Sequence, residues 1–132
     1  MRKVLYLTPE RIIEYNLLAL TLLEVKKADK AEVLSKGRLI DIAEGCRKTE
    51  GDIYDKAAYL LKQLIQQHPF ASGNRRTAFI VTKEFALNNK CRFGIKDDPE
   101  QARAMTGIRE GFYTSEELKE WIKHGKIRLF TR

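Results

Sequence analysis

The stretch His68-Pro69-Phe70-Ala71-Ser72-Gly73-Asn74-Arg75-Arg76-Thr77-Ala78 decides how the rest of the chain is read, because it joins two apolar periodicities. Upstream, Ile53, Ala57, Leu60, Leu61, Leu64 and Ile65 recur at spacings of three and four, which predicts a helix opening at Asp52. Pro69 disfavours helical geometry in the residue before it, so that helix is expected to stop at His68. Downstream, Ala78, Val81, Thr82, Phe85 and Ala86 share one face of a second helix, which starts near Asn74 and ends at the Asn88-Asn89 pair. Two core helices therefore flank one tight loop.

The residues of that loop suit an anion held beside a proton acceptor. A helix N-terminus offers unpaired amides and a partial positive charge, and arginines add full charges. Gly73 permits close backbone approach, Asn74 can cap the helix or offer its amide, and the N–H groups near Arg75, Arg76 and Thr77 are expected to lack intrahelical partners. Arg75 and Arg76 lie about 100° apart on the helix, so at least one, Arg76 foremost, turns toward a bound anion. His68 then faces the same site with an imidazole, the side chain best suited to accept a proton near neutrality. Taken singly these residues are ordinary, since His-Pro stops a helix, Gly-Asn makes turns and Phe70 can plug a core.

Outward from the loop the chain reads as further helices. Thr8-Pro9-Glu10 is a cap, a first-turn proline and a dipole-matching acid, and Ile12, Ile13, Leu17, Leu20 and Leu23 keep helical spacing up to the charged run Lys26-Lys27-Ala28-Asp29-Lys30. A shorter helix is expected over Leu39 to Glu44, after a break at Ser35-Lys36-Gly37, and the glycine-bounded run from Gly45 to Gly51 reads as a loop. Cys91-Arg92-Phe93-Gly94-Ile95 reads as a short strand. Asp98-Pro99-Glu100 repeats the cap, proline, acid pattern, and Thr114-Ser115-Glu116-Glu117 is a capping box for a last helix through Trp121 to Lys123, closed by His124-Gly125. Trp121 is expected to anchor the core, and His124 to complement the dipole of its helix.

With 132 residues, 43% of them hydrophobic, the chain can build one core without staples, so residues 1–132 are expected to form a single domain. Its apolar runs are too short to cross a bilayer, and the first ten residues lack the apolar core of a secretory leader, so a cytoplasmic location and no membrane partner are expected. Cys46 and Cys91 stand far apart and only two histidines exist to join them, which argues for reduced thiols and against structural zinc. The net charge of +7 attracts anions generally. Lys and Arg are nevertheless scattered, without a basic tail or interleaved aromatic platform, so nucleic acid is not the expected partner.

The motif as a whole resembles the Fic/Doc (Fido) superfamily, whose signature runs His-Pro-Phe-x-Asp/Glu-Gly-Asn-Gly/Lys-Arg, and within it the death-on-curing branch, where Thr-Ala follows. His68-Pro69-Phe70, Gly73-Asn74, Arg76 and Thr77-Ala78 match, Tyr54-Asp55-Lys56-Ala57-Ala58-Tyr59-Leu60-Leu61 looks like the family's preceding helix, and the opening and closing helices extend the likeness over most of the chain. The resemblance implies a mainly α fold: a Fido-type helical bundle around a helix-loop-helix active centre, with room for one small β-hairpin. It also implies a nucleotide-dependent transferase in which His68 is the general base for a target hydroxyl, Gly73, Asn74, Arg75, Arg76 and Thr77 hold nucleotide phosphates, and Phe70 packs beneath the loop. ATP is the implied co-substrate. The implied partners are a protein with a hydroxyl residue to modify, by analogy a translation factor, and a separate antitoxin.

Departures from the pattern refine what the resemblance implies. Phe79 stands where adenylylating members carry a second arginine, which leans toward a toxin-type protein kinase that moves the terminal phosphate, with adenylyl transfer as the alternative. Ser72 stands at the family's acidic position, which holds the magnesium bridging the phosphates. A hydroxyl is a poor substitute for a hard cation's carboxylate, so the role of Mg2+ is in doubt, and a domain that binds nucleotide or a partner without transfer is a further alternative. An acid from elsewhere, such as Glu50 or Asp52, is the candidate replacement. Arg75 replaces the branch's usual lysine, keeping the charge and changing its geometry. Ile40-Asp41-Ile42-Ala43-Glu44-Gly45 lacks the hydroxyl of the family's inhibitory helix and is read as a solvated helix end, while Gly45 to Gly51 sits where the family places its target-positioning flap.

Overall fold

The computed structural model describes residues 3–22 and 31–131. Among these residues the regular structure is six helices: α1 (Pro9–Leu22), α2 (Lys36–Lys48), α3 (Ile53–Gln66), α4 (Asn74–Asn88), α5 (Glu100–Arg109) and α6 (Ser115–His124). The expected mainly α fold is what the chain adopts. None of the described helices is long and apolar enough to cross a membrane.

Helix α3 sits at the centre, touching α2, α4, α5 and α6, with its most extensive contact on α4. It can do so because it is apolar around most of its girth: Tyr54, Ala57, Ala58, Leu60, Leu61, Leu64 and Ile65 are all buried. Phe70, Val81, Phe85, Met105, Ile108, Leu118 and Ile122 complete the interior around it. Each such side chain contributes about 1.5–3 kcal/mol by leaving water. Asp52 and Asp55 open α3 with reciprocal capping bonds of 3.0 and 2.8 Å, and Asp55 also pairs with Lys119 of α6 at 2.7 Å. Trp121 is buried as expected, and the Thr114/Glu117 capping box and the left-handed Gly125 bound α6.

Helix α2 departs from the expected boundaries at both ends. Ser35 is its N-cap and not a break, accepting the Arg38 N–H at 3.1 Å. At the other end Gly45 to Lys48 continue the helix, so the loop shrinks to the residues after Lys48, and Glu44 lies inside α2 rather than at a helix end. Gly45 is there for closeness: a methyl group on it would overlap the Tyr59 ring of α3. The last carbonyls of α2 find their partner in Lys56, a buried amine that donates to Cys46 O (3.4 Å), Arg47 O (3.1 Å) and Thr49 O (2.6 Å). A cation at a helix C-terminus also meets the negative end of the dipole.

Cys91 to Ile95 form no strand. The segment is extended, but Gly94 N–H donates to Ile122 O at 2.6 Å at the end of α6, and Phe93 stacks edge-on against Phe79, so its partners are helices. The β-hairpin is likewise missing among the described residues, whose one β pairing is an antiparallel bridge between Val33 and Phe70. Both cysteines are free thiols, and burial pushes the Cys46 thiol up to about 11, which favours its neutral form. In α1 the buried face is Ile12, Tyr15, Asn16, Ala19 and Leu20, whereas Leu17 points to solvent. Leu23 and the run Lys26 to Lys30 lie outside the described residues.

Replacing Lys56 by methionine keeps the stem and removes three donors. The expected result is a loss of about 2 kcal/mol, read as a lower urea midpoint with an unchanged slope.

Candidate functional site

The loop begins earlier than Pro69 alone dictates. Helix α3 ends at Gln66, Gln67 caps it, and His68 takes the left-handed conformation at φ +51°. That position usually belongs to glycine, and a histidine there costs about 1 kcal/mol. Such strain collects at functional sites. Its effect is to turn the chain sharply and leave the imidazole at the surface.

The backbone after His68 is held on its outer side by the segment preceding α2. Pro69 O accepts from Leu34 N–H (2.8 Å) and Ser35 N–H (3.3 Å), and Ala71 N–H donates to Glu32 O (2.9 Å). On the inner side Phe70 is fully buried, beneath the loop as expected. Asn74, also buried, folds back onto it: Asn74 Oδ1 accepts the Phe70 N–H at 3.0 Å and Asn74 Nδ2 donates to Phe70 O at 2.8 Å. Both ends of the amide are therefore occupied within the loop. From α1, the buried Asn16 donates to Ser72 O (2.9 Å) and to Thr77 Oγ1 (3.0 Å), tying the loop to the first turn of α4.

This arrangement leaves the start of α4 open. Gly73 occupies the N-cap at φ +76°, a conformation that favours glycine, and no side chain caps the helix. Thr77 N–H is already bonded to Gly73 O at 2.8 Å, so the amides without an intrahelical carbonyl are those of Asn74, Arg75 and Arg76. The two arginines diverge. Arg75 is exposed and reaches Thr106 Oγ1 of α5 at 3.3 Å. Arg76 lies over the Phe79 ring, 5.0 Å from its centroid, and grips Asp97 with both terminal nitrogens at 2.7 and 2.8 Å. Its Nε is buried without a partner. The guanidinium holds the Asp97 carboxyl below its ordinary range, chiefly by hydrogen bonding.

The structure thus brings His68, Phe70, Gly73, Asn74, Arg75, Arg76 and Thr77 onto one short loop and helix end. Phe70, Asn74 and Thr77 are interior supports, whereas His68 and Arg75 are exposed. Sequence reading missed Asn16, Asp97, Thr106 and the clamp at residues 32–35. Asn16 left one signal, a lone amide within the apolar run Tyr15 to Leu20. Two surface cavities, of about 410 and 500 Å3, lie elsewhere: one between α5, α6 and the last residues, the other between residues 3–5 and the ends of α3 and α4.

The residues present do not fit a protein-held magnesium ion. The Ser72 carbonyl is taken by Asn16, and its side chain offers only a hydroxyl. The carboxylate bonded to the start of α4, Asp97, is engaged by Arg76. Asp52 cannot substitute, because it caps the far end of α3, a helix about 21 Å long, and Glu50 precedes it. Among the described residues no three of His, Cys, Asp and Glu are grouped to hold a metal.

A mainly helical bundle arranged around one helix-loop-helix centre is the class of protein that this fold defines. The family model of the Fic/DOC family matches residues 9–86, more than half of the chain, and the chain belongs to that family. The match runs from the start of α1 almost to the end of α4 and contains the whole loop. It suggests a nucleotide-dependent transferase. No curated protein matches the sequence.

Two measurements check the geometry. Asn16→Ala strands Ser72 O and the Thr77 hydroxyl, with an expected loss of about 1–3 kcal/mol in chemical denaturation. For Asp97, a carboxyl lowered in the folded state stabilises above its unfolded value, and that contribution is lost as pH falls through the lowered midpoint. A carbon-detected NMR titration should place Asp97 below the ordinary range and return it there in Arg76→Ala.

Proposed function

We propose that the protein is a death-on-curing-like transferase, a toxin-type protein kinase that moves the terminal phosphoryl group of ATP to a hydroxyl of a target protein. The observation that carries this reading is the uncapped start of α4, flanked by Arg75 and Arg76 and reached across one braced loop from an exposed His68. Open amides at a helix N-terminus receive phosphate oxygens, and the arginines answer their charge. His68 takes the proton of the target hydroxyl as its oxygen attacks the γ-phosphorus; the bond to the β,γ-bridging oxygen breaks and ADP leaves. Phe79 supports phosphoryl over adenylyl transfer: it is buried beneath Arg76, so the next turn of α4 brings no second cation to that side. A target protein with an accessible hydroxyl and a separate inhibitory protein, an antitoxin by family analogy, belong to this reading.

Ser72 favours a second reading, a domain that binds nucleotide and transfers nothing. Purified protein incubated with cell extract and ATP labelled at either the α or the γ position separates the readings. The expected outcome is γ label on a protein, reduced about 100-fold or more in His68→Ala. Label from the α position would establish adenylyl transfer, and nucleotide binding without any label would establish the second reading.

A further inference from the structure

We infer that the site binds its nucleotide polyphosphate as the metal-free anion, with Arg75, Arg76 and the α4 amides doing the charge neutralisation that a protein-held divalent cation would otherwise do. The inference rests on the nucleotide-binding reading of this loop and goes beyond it by assigning the ionic form of the ligand.

A divalent cation bound between a protein and a polyphosphate needs at least one anionic protein oxygen to favour the metal complex over the free anion. This loop supplies none. At the motif position that is acidic in the family stands Ser72, whose hydroxyl is neutral and whose carbonyl already accepts from Asn16. Asp97 is bonded through both oxygens to Arg76, so taking a metal would strip that arginine of its partner. Every other charge on the first turn of α4 is positive: Arg75 and Arg76 are full charges, and the helix end adds about half a charge more.

The sign of the magnesium effect follows. Chelating magnesium removes two negative charges from a nucleoside triphosphate. At a site with a carboxylate, that loss is outweighed by a new metal-oxygen bond. Here it only weakens the attraction to the arginines, so magnesium should leave affinity unchanged or lower it. Placing an aspartate at position 72 reverses the sign, because the new carboxylate repels the bare anion and attracts the metal complex.

Isothermal titration of a non-hydrolysable ATP analogue tests this with the wild-type protein and Ser72→Asp, each in excess EDTA and in excess magnesium. Wild type is expected to bind in EDTA at least as tightly as in magnesium, whereas Ser72→Asp binds several-fold more weakly than wild type in EDTA and regains about tenfold on adding magnesium. Wild-type binding that appears only with magnesium, or tightens tenfold with it, overturns the metal-free assignment while leaving the nucleotide site standing. Absence of wild-type binding in both buffers overturns the nucleotide-binding reading itself. The wild-type comparison decides the question without the variant, and circular dichroism shows whether Ser72→Asp is folded.

Discussion

Asn74 holds the Phe70 backbone in both directions, giving its Nδ2–H to the carbonyl and taking the N–H on its Oδ1. The bonding capacity of one amide is thereby matched to one residue's main chain, out of contact with water. Two consequences depend on it. The Phe70 ring is fixed in the core, which anchors the loop to the packing of α3 and α4. The same bonding also places Gly73, which has no side chain to offer, at the N-cap of the helix that Asn74 begins, so the amides of the first turn of α4 receive no side-chain cap. Glycine at the cap costs only a few tenths of a kcal/mol against a capping side chain, and the left-handed His68 about 1 kcal/mol. These small local losses coincide with the positions where an anion and a proton would be handled.

The loop keeps its shape because three distant parts of the chain brace it. Asn16 on α1 reaches Ser72 O and Thr77, residues 32–35 bond the outer edge from Pro69 to Ala71, and Asn74 closes the inside. Bracing of this kind leaves little of the loop backbone to reorganise when a ligand arrives, which is the condition under which open amides bind an anion with least loss. The buried amide of Asn16 is worth more as a link than as packing, since removing it would leave two oxygens unpaired in the interior.

The helices were legible where a local rule decided them. Thr8-Pro9, Asp52, Asp98-Pro99 and Thr114 mark starts by their own chemistry, and the α3 and α4 stripes follow from spacing alone. The α2 boundaries were not, because Gly45 obeys a tertiary demand: only contact with Tyr59 explains a glycine inside that helix. Cys91 to Ile95 carried the residues of a strand, but among the described residues no second strand lies beside it, and a strand without a partner is only an extended segment. The motif identified the loop and the family. It did not show that Asn74 points inward, that Thr77 has its amide paired, or that Asp97 meets Arg76, since each depends on distances between elements that no spacing rule encodes.

Arg76 is the cation whose surroundings most constrain what the site can do. Phe79 supports one face of its guanidinium, Phe93 supports Phe79, and the two bonds to Asp97 orient the plane while Nε is buried without a partner. Its side chain is 24% exposed against 54% for Asp97, so the arginine is the more enclosed member of the pair. A half-exposed ion pair contributes at most about 1 kcal/mol, whereas a polyphosphate brings several negative charges to the same fork and to the open amides beside it. Under the proposed reading, Asp97 therefore keeps Arg76 oriented without competing strongly for it. The same balance explains why a neutral residue at position 72 is compatible with phosphate binding: the first turn of α4 holds more positive charge than Asp97 alone neutralises.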